Sequence, residues 1–295
     1  MVKRAKFPFK SEISSLPSHD GSSEIYVKNY WRGQPRLHFF IVHGAIEYSA
    51  RHSELIDFLL THFSDVALTV YDHVGHGLSG GNRAHIENFN VYLHDLRSVV
   101  DESLKKFSSV KMRFLLSHSM GGLIVLRSIH EKILDPSFFQ GFIFSNPCIK
   151  PVVHFPQVSL RALKSLLKLS PKIHLPLLYD GKYLTHDMSR AIDFNTDNLI
   201  SKFISVSMAD QILESSEKLI GTSYYINFPC LFLLSEEDKV VCPESSKVYV
   251  KGIDKKYAKV RVFSDKFHDL WNEDNRHDIF IDMKKWIDTT TRGQK

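Results

Sequence analysis

The feature that most limits the fold of this 295-residue chain is a regular alternation of short apolar segments with helix-length segments. The apolar segments are rich in β-branched and aromatic residues, as expected for strands covered by helices on both faces. This alternation predicts an α/β fold with a mostly parallel sheet and crossover helices. The predicted strands are residues 23–30, 37–42, 66–71, 112–116, 141–145, 230–234 and 259–263. The predicted helices are residues 54–63, 91–107, 120–134, 243–252 and 279–287.

The alternation stops between residues 146 and 225, where the sequence is typical of helices and turns. This segment is neither rich in Gly and Ser nor strongly polar, so it does not resemble a linker. We therefore expect a core formed by residues 1–148 and 226–295, with residues 149–225 inserted as a helical cap.

The composition argues against several classes of protein. Hydrophobic residues make up 43% and charged residues 24%, as in soluble globular proteins, and no apolar run approaches the ~20 residues of a membrane span. The first residues are basic but lack the apolar stretch of a signal peptide. The net charge of +5 is too small to indicate nucleic-acid binding. We expect a cytoplasmic protein with free thiols at its three cysteines.

A candidate nucleophile lies between a predicted strand and a predicted helix, in the sequence Ser117-His118-Ser119-Met120-Gly121-Gly122. A tight strand-to-helix turn projects the middle serine above a sheet, and small neighbours are needed because the turn crowds the backbone. In this position Ser119 is the expected nucleophile. The amides of Met120 and of Ala45, which follows another strand in His43-Gly44-Ala45, are the expected oxyanion-hole donors.

An acid and a base follow the last two predicted strands, in the chain order serine, acid, histidine. Serine needs a base to take its proton, and the base needs a buried acid to orient it. We assign these roles to Asp238 and His268. Neighbouring groups remain alternatives, namely the acids Glu236, Glu237, Asp265 and Asp269 and the base His277.

Together these elements resemble the monoacylglycerol lipase and lysophospholipase family of α/β-hydrolases, which overlaps with the serine aminopeptidase-like group. The similarity covers residues 25–287 and includes the run from Asp72 to Ser79, DHVGHGLS. It implies an eight-stranded core, a helical cap over the site, no cofactor, and hydrolysis of single-chain acyl esters. It also implies that Glu47, Arg51 and the residue at position 271 contact the alcohol part of the substrate.

Three positions depart from the family pattern. Ser117 replaces a glycine of the serine turn, where we expect a small side chain to fit with some strain. Ile46 replaces a second glycine beside the oxyanion donor and could narrow the alcohol pocket. Trp271 replaces a polar residue near the alcohol. These departures leave the head group of the substrate open.

The sequence favours a two-step hydrolysis of monoacylglycerol or lysophospholipid esters through an acyl-enzyme on Ser119. A short-chain carboxylesterase is the nearest alternative, an aminopeptidase is a weaker one, and a binding protein without turnover is a further one.

The segment from Ser137 to Tyr179 contains no acidic residue. Its leucines recur at helical spacing and alternate with basic residues, which is typical of a cap helix. Either this helix contacts an anionic membrane surface, making the protein peripheral, or it buries its leucines on the core; the sequence leaves both open. The leucines are Leu160, Leu163, Leu166 and Leu167, and the basic residues are Lys150, Arg161, Lys164, Lys168 and Lys172.

His73, His76 and His85 lie close together in the sequence but lack the spacing of a metal motif, so we interpret their region as a structural turn. Cys242, four residues after the proposed acid, is a candidate for a thiol near the pocket that is sensitive to modification.

Overall fold

A computed structural model describes residues 9–152, 170, 172–177 and 180–292. Within these residues the chain forms ten strands and seven α-helices. The strands are β1 (Lys10–Pro17), β2 (Glu24–Arg32), β3 (Leu37–Val42), β4 (Val66–Tyr71), β5 (Met112–His118), β6 (Gly141–Ser145), β7 (His174–Pro176), β8 (Phe203–Ser205), β9 (Cys230–Ser235) and β10 (Ala258–Phe263). The helices are α1 (Ser53–His62), α2 (Asn90–Lys106), α3 (Met120–His130), α4 (Met188–Thr196), α5 (Val206–Glu217), α6 (Pro243–Lys251) and α7 (Arg276–Arg292).

Eight strands form one sheet in the order β1-β2-β4-β3-β5-β6-β9-β10. The pairs β1–β2 and β2–β4 are antiparallel, and all other pairs are parallel. The predicted mostly parallel α/β sheet is therefore confirmed. Since the carboxyl ends of parallel strands lie at one edge, the loops after β3, β5, β9 and β10 all open on that edge.

Helices cover both faces of the sheet because alternate residues of each strand point to opposite sides. Phe40 and Val42 pack in one apolar cluster with residues of α2 and α3. Phe39 and Ile41, from the same strand, pack in a second cluster with residues of α1 and α7. Strands β3 and β4 are buried along their whole length, which explains their continuous apolar sequences.

The outer strands are the least regular in sequence. Strand β1 was not predicted, since its residues KSEISSLP are mostly polar and exposed. Strand β10 was predicted among the core strands, but it lies at the sheet edge and its central four residues are exposed. Helix α3 ends at His130, earlier than the predicted residue 134, and Lys132 beyond it has a φ of 60°.

The segment predicted as a cap contains helices α4 and α5 and a small antiparallel sheet of β7 and β8, which the sequence did not indicate. Ile204, Met208 and Ile212 from this segment pack in the same cluster as α2 and α3. The domain limits at 149 and 225 stay a prediction. The proposed basic helix, with Leu160, Arg161, Leu163, Lys164, Leu166, Leu167 and Lys168, lies outside the described residues.

None of the helices in the described ranges is long and apolar enough to cross a membrane.

Candidate active site

Ser119 sits at the junction of β5 and α3 in a conformation that side chains rarely adopt. Its φ is 51° and its ψ is −120°. The backbone around it is held by hydrogen bonds: the Ser119 amide donates to the Ser145 carbonyl over 3.0 Å, and its own carbonyl accepts from the amides of Gly122 and Cys148, both at 2.9 Å. Such strain persists only where the surrounding structure fixes it. The turn therefore presents Ser119 at the sheet edge, as predicted.

Gly121 is required because the neighbouring strand passes directly against it. A Cβ at this position would lie 2.4 Å from the Val42 carbonyl oxygen and 2.6 Å from that of His43. Both distances are well inside van der Waals contact, and neither backbone atom can move away cheaply. The small residue after Met120 thus allows α3 to begin against the end of β3.

Ser117 fits its position without the strain expected from the sequence. It continues β5, paired with Val42 on one side and Phe144 on the other, and its φ is not positive. The buried hydroxyl donates a hydrogen bond of 3.4 Å to the Ile143 carbonyl. A glycine is not needed here, because the strained residue of the turn is Ser119.

The structure brings His268 and Asp238 into direct contact. The Nδ1 atom of His268 lies 2.7 Å from Oδ2 of Asp238, and both side chains are buried. The other carboxylate oxygen of Asp238 accepts hydrogen bonds from the amides of Val240 and Val241 at 2.7 and 2.9 Å. Nδ1 faces the acid, so Nε2 is the ring nitrogen that this contact leaves free, and Ser119 lines the same cavity as His268.

The alternative acids and base lie elsewhere. Glu236 forms an exposed ion pair with Lys247, Glu237 is exposed, and Asp265 pairs with Lys266 at the surface. His277 is an exposed residue beside Phe58. Asp269 is buried, but its carboxylate contacts Arg51 rather than the His268 ring nitrogen.

The pKa of His268 is raised above its ordinary value. Burial alone would lower it, but the charge of Asp238 and the hydrogen bond to Nδ1 outweigh burial, and Asp269 and Glu47 add smaller contributions. Burial has the opposite outcome at the neighbouring His118, whose pKa falls to about 4. His118 is therefore neutral near pH 7, whereas the pKa of His268 lies above the ordinary value for histidine.

Asn146 fixes the loop that carries His268, a role that sequence reasoning missed. Its Nδ2 donates to the His268 carbonyl and to the Ser235 hydroxyl, each over 2.8 Å, and its Oδ1 accepts from the Ser235 amide. The Ser235 hydroxyl in turn donates to the Phe267 carbonyl at 2.6 Å. The sequence does contain a hint of this role, since Asn146 and Ser235 are polar residues at the ends of apolar strands.

The loop after β3 holds Ala45 beside the serine turn. The amide of Gly44 donates to Oε1 of Glu47 over 2.6 Å, which closes the loop on itself. Ala45 and Met120 both line the cavity that contains Ser119. Met120 is the first residue of α3, where helical amides have no partner within the helix. The two predicted oxyanion donors are thus at the cavity, and their role stays a prediction.

Ile46 adopts a left-handed conformation, with a φ of 60°. This region is unfavourable for a β-branched residue and favours glycine. The side chain lines the cavity and packs against residues of the core and of the inserted segment. Isoleucine in place of glycine therefore adds an apolar side chain next to Ala45 and introduces backbone strain.

The predicted alcohol-binding residues have different environments. Glu47 lines the cavity, and Arg51 lies 3.5 Å from its carboxylate and 3.1 Å from that of Asp269. Arg51 also borders a second, polar hollow together with Tyr48 and Asn272. Trp271 is fully buried in the cluster of α1 and α7, where its ring contacts His52 and His118. It lies behind the cavity wall rather than on it.

Neighbouring charged groups keep Glu47 and Arg51 ionised although both are buried. Burial would raise the pKa of Glu47, but His52, His118 and Arg51 hold it well below its usual range. Burial would likewise lower the pKa of Arg51, and the carboxylates of Asp269 and Glu47 raise it instead.

The rest of the cavity is mostly apolar. Its wall is formed by residues of the core and of the inserted segment, including Leu177, Leu184, Phe194, Ile204, Ile212, Leu213 and Val240. An elongated apolar group could be shielded from water between these side chains.

His73, His76 and His85, which lie close together in the sequence, do not line the cavity. His43, His73 and His76 form a buried group, in which Nε2 of His43 accepts from the His73 amide. No group of side chains suited to a metal ion occurs among the described residues. His85 lies apart and contacts Ser205. Cys242 precedes α6 and does not line the cavity, whereas Cys148 does, and burial raises its pKa to about 12.

A mostly parallel eight-stranded sheet with a serine at a strained strand-to-helix turn defines the serine hydrolases of the α/β-hydrolase fold. The chain is an enzyme of this class. Residues 33–275 match the family model described as Hydrolase_4, serine aminopeptidase, S33. The chain belongs to this family, and the resemblance inferred from its motifs is confirmed.

Relatives of known name span nearly the whole chain. Human monoglyceride lipase is 25% identical over 289 residues, covering 95% of this chain and 91% of the relative. A phospholipase of Bacillus subtilis is 26% identical over 88% of this chain and 98% of its own length. The crystal structure of a monoglyceride lipase variant from Saccharomyces cerevisiae, bound to a substrate analogue, superposes with a TM-score of 0.82 at 20% identity, covering 98% and 97% of the two chains. The chain is thus a monoglyceride lipase-like α/β-hydrolase.

Proposed function

We propose that this protein hydrolyses carboxylic esters of single-chain lipids, monoacylglycerols or lysophospholipids, through an acyl-enzyme on Ser119. The observation that carries the proposal is the buried contact between His268 and Asp238 in a cavity that also contains Ser119 and is otherwise largely apolar. The name of the human relative, monoglyceride lipase, supports a monoacylglycerol substrate, and that of the Bacillus relative, a phospholipase, supports a phospholipid.

In the first step, the Ser119 oxygen attacks the ester carbonyl carbon while His268 takes the serine proton. The carbonyl oxygen becomes negative and is held by the amides of Ala45 and Met120. The tetrahedral intermediate then expels the alcohol, which receives the proton from His268. In the second step, His268 deprotonates water, water attacks the acyl-enzyme, and the fatty acid leaves as Ser119 recovers its proton.

The proposed acyl site is formed in part by the segment 149–225, which we assign as the cap. Leu184, Phe194 and Ile212 of this segment line the cavity above Ser119. Such a wall suits a long acyl chain better than an acetyl group, because each additional buried methylene contributes about 0.8 kcal/mol. A short-chain esterase would leave most of this wall without a ligand.

We also propose peripheral membrane contact through the outer surface of the cap. Met188, Ile192 and Phe203 are large apolar residues that are more than half exposed, and all three belong to this segment. Lipid substrates reside in membranes, so an apolar surface on the cap would bring the cavity close to them. Sedimentation with vesicles, compared for the wild type and Ile192→Glu, tests this contact; equal sedimentation of the two would contradict it.

The central experiment combines covalent labelling with substrate profiling. A fluorophosphonate probe should label the wild type and fail to label Ser119→Ala. On p-nitrophenyl esters, kcat/KM should rise from acetate towards long acyl chains. Activity confined to acetate and butyrate would reject the lipid substrate, and labelling that persists in Ser119→Ala would reject the nucleophile.

A further inference from the structure

Asp269, next to His268, has a buried carboxylate whose two oxygens differ in their contacts. The residue is 2% exposed and lines the cavity that contains Ser119 and His268. Its Oδ2 accepts hydrogen bonds from Arg51 at 3.1 Å and from Asn272 at 2.9 Å. Its Oδ1 has no hydrogen-bond partner among the residues that the structure describes. A buried carboxylate oxygen left in this state is costly, so it favours any ligand that brings a donor.

The charges nearby indicate which kind of ligand this is. Arg51 is already engaged by two carboxylates, those of Glu47 and Asp269. His52 also faces Glu47, with its Nε2 atom 3.4 Å from Oε1, so the basic groups nearby are directed at Glu47 and at Oδ2 of Asp269. Among the described residues, Oδ1 of Asp269 is left as an acceptor without a donor. An anionic group would therefore meet repulsion, whereas a neutral group with a hydroxyl could donate to Oδ1.

We propose that Asp269 is a specificity-determining residue whose Oδ1 accepts a hydrogen bond from a hydroxyl on the alcohol part of a neutral ester substrate. This inference rests on the proposed ester hydrolysis at Ser119 and selects, between its two substrate classes, the one without a phosphate. Arg51, which contacts Oδ2 of Asp269, lines the polar hollow beside Tyr48 and not this cavity. The alcohol would lie beside Glu47 and Asp269, the carboxylates of the cavity wall, while the acyl chain lies against the apolar side chains.

A site built to bind a hydroxyl discriminates strongly against an analogue that lacks it, because the polar group of the protein is then left unpaired. For a bond to a charged acceptor, the expected discrimination is roughly 10- to 100-fold in kcat/KM. Removing the carboxylate of Asp269 should lower this discrimination in kcat/KM by the same factor.

The test compares two substrates and three proteins. The substrates are a 1-monoacylglycerol and the methyl ester of the same fatty acid, which has no hydroxyl. The proteins are the wild type, Asp269→Asn, and the control Asp265→Asn, whose exposed carboxylate lies on the same loop. In Asp269→Asn the amide oxygen is expected to face Arg51, which places an NH₂ group where Oδ1 was.

The readout is the ratio of kcat/KM for the two substrates, measured where the pH profile is flat. Asp269 also raises the pKa of His268, so a change common to both substrates is expected and cancels in the ratio. We expect the ratio to fall at least 10-fold in Asp269→Asn and to stay unchanged in Asp265→Asn. An equal ratio in all three proteins would overturn the inference and leave ester hydrolysis intact.

A second measurement uses the wild type alone, so that it does not depend on the folding of a variant. A non-hydrolysable 1-O-alkylglycerol should inhibit at least 10-fold more strongly than its 2,3-di-O-methyl derivative. Equal inhibition, or faster hydrolysis of lysophosphatidic acid than of monoacylglycerol with the same chain, would contradict the role of Asp269. If the wild type hydrolyses none of these esters, the proposed function itself fails.

Discussion

The hydrogen bond between His268 and Asp238 decides which nitrogen of the base is available. Asp238 is itself held by the amides of Val240 and Val241, so its carboxylate cannot turn away from the ring. This arrangement keeps a proton on Nδ1 and leaves Nε2 for the proton exchange with Ser119 that we propose. The acid therefore acts both on the orientation of the base and on its pKa.

Replacing Asp238 by Asn should have two effects. The rate constant kcat should fall by roughly 1000- to 10,000-fold, because the imidazole loses its orientation and the stabilisation of its cation. The acid limb of the kcat/KM profile should also move to lower pH. Activity requires neutral His268, and the charge that raises its pKa is absent in the variant. A pH–rate profile of wild type, Asp238→Asn and the control Glu236→Gln would measure both; an acid limb that did not move would contradict the assignment.

Two substitutions of Ile46 distinguish the effect of backbone strain on stability from the effect of side-chain packing. Ile46→Ala loses the side chain but keeps an unfavourable φ of 60°, whereas Ile46→Gly loses the side chain and relieves the strain. We expect the Gly variant to have the larger free energy of unfolding, by about 1 kcal/mol. Urea denaturation of the two variants would measure this difference. An Ala variant as stable as the Gly variant would show that the loop relaxes around residue 46.

At the residue scale, the sequence was most informative for the three proposed catalytic residues, because their type and their order along the chain follow a known pattern. Ser119, Asp238 and His268 stood out because each follows a predicted strand and they occur in the order serine, acid, histidine. The sequence could not choose between Asp238 and Glu237, because the direction of a side chain in a loop depends on the packing of other segments. It gave no sign of the role inferred for Asp269, which depends on the approach of Arg51 from a distant part of the chain.

At the scale of elements, the ends of β6 and β9 determine where the base stands. Asn146, directly after β6, bonds the Ser235 end of β9 and the backbone at His268. These bonds join the three segments that follow β6, β9 and β10. The sheet thus transmits its rigidity to the loop that carries the base.

Asn146→Ala should therefore impair catalysis more than binding. A shift of the His268 loop by about 1 Å is expected to lower kcat on the order of 100-fold, with a smaller change in KM. The rate of fluorophosphonate labelling should fall in parallel, which simple loss of stability would not produce in the folded fraction. Asn275→Ala, at an exposed residue near the same loop, is the control. A fall in thermal stability with unchanged kcat would assign Asn146 a purely structural role.

The elements predicted best are those buried on both faces, such as β3 and β4, whose observed limits equal the predicted ones. Strand β1 escaped prediction because an exposed edge strand need not be apolar. The pairing of β7 with β8 was equally hidden, since three-residue strands are formed by contacts between distant residues rather than by a local pattern.

At the scale of the whole molecule, one buried carboxyl group far from the cavity links stability to pH. Asp95 in α2 is fully buried and accepts hydrogen bonds from the Ser18 hydroxyl and the His19 amide near the β1–β2 turn. Burial raises its pKa to about 7, and these hydrogen bonds offset only part of the rise. The folded protein therefore holds this proton more tightly than the unfolded chain.

This linkage predicts that Asp95→Asn stabilises the protein increasingly as the pH rises. In the wild type, the favourable contribution of the protonated group is present at low pH and is lost as the pH rises through about 7. The amide cannot ionise, so the difference in free energy of unfolding between variant and wild type should be larger at pH 8 than at pH 5. Urea denaturation at both pH values measures it. A difference that is equal at the two values would contradict the raised pKa.

The class of fold could be predicted from the alternation of strand and helix segments in the sequence, but the shape of the cavity could not. Its wall joins Ile46 and Val240 of the core loops to Leu184 and Phe194 of the inserted segment. Contacts of this kind depend on how the insertion packs on the sheet, which no local pattern encodes.

The serine, acid and base follow β5, β9 and β10, whereas much of the cavity wall comes from between β6 and β9. With the roles that we propose, the reacting groups and much of the substrate-binding wall therefore come from separate stretches of the sequence. A chimera that receives the insertion of another family member should adopt the donor's preferred chain length while retaining its own reaction. Diversification of such enzymes can then proceed by exchange of one contiguous segment, with the reacting groups left untouched.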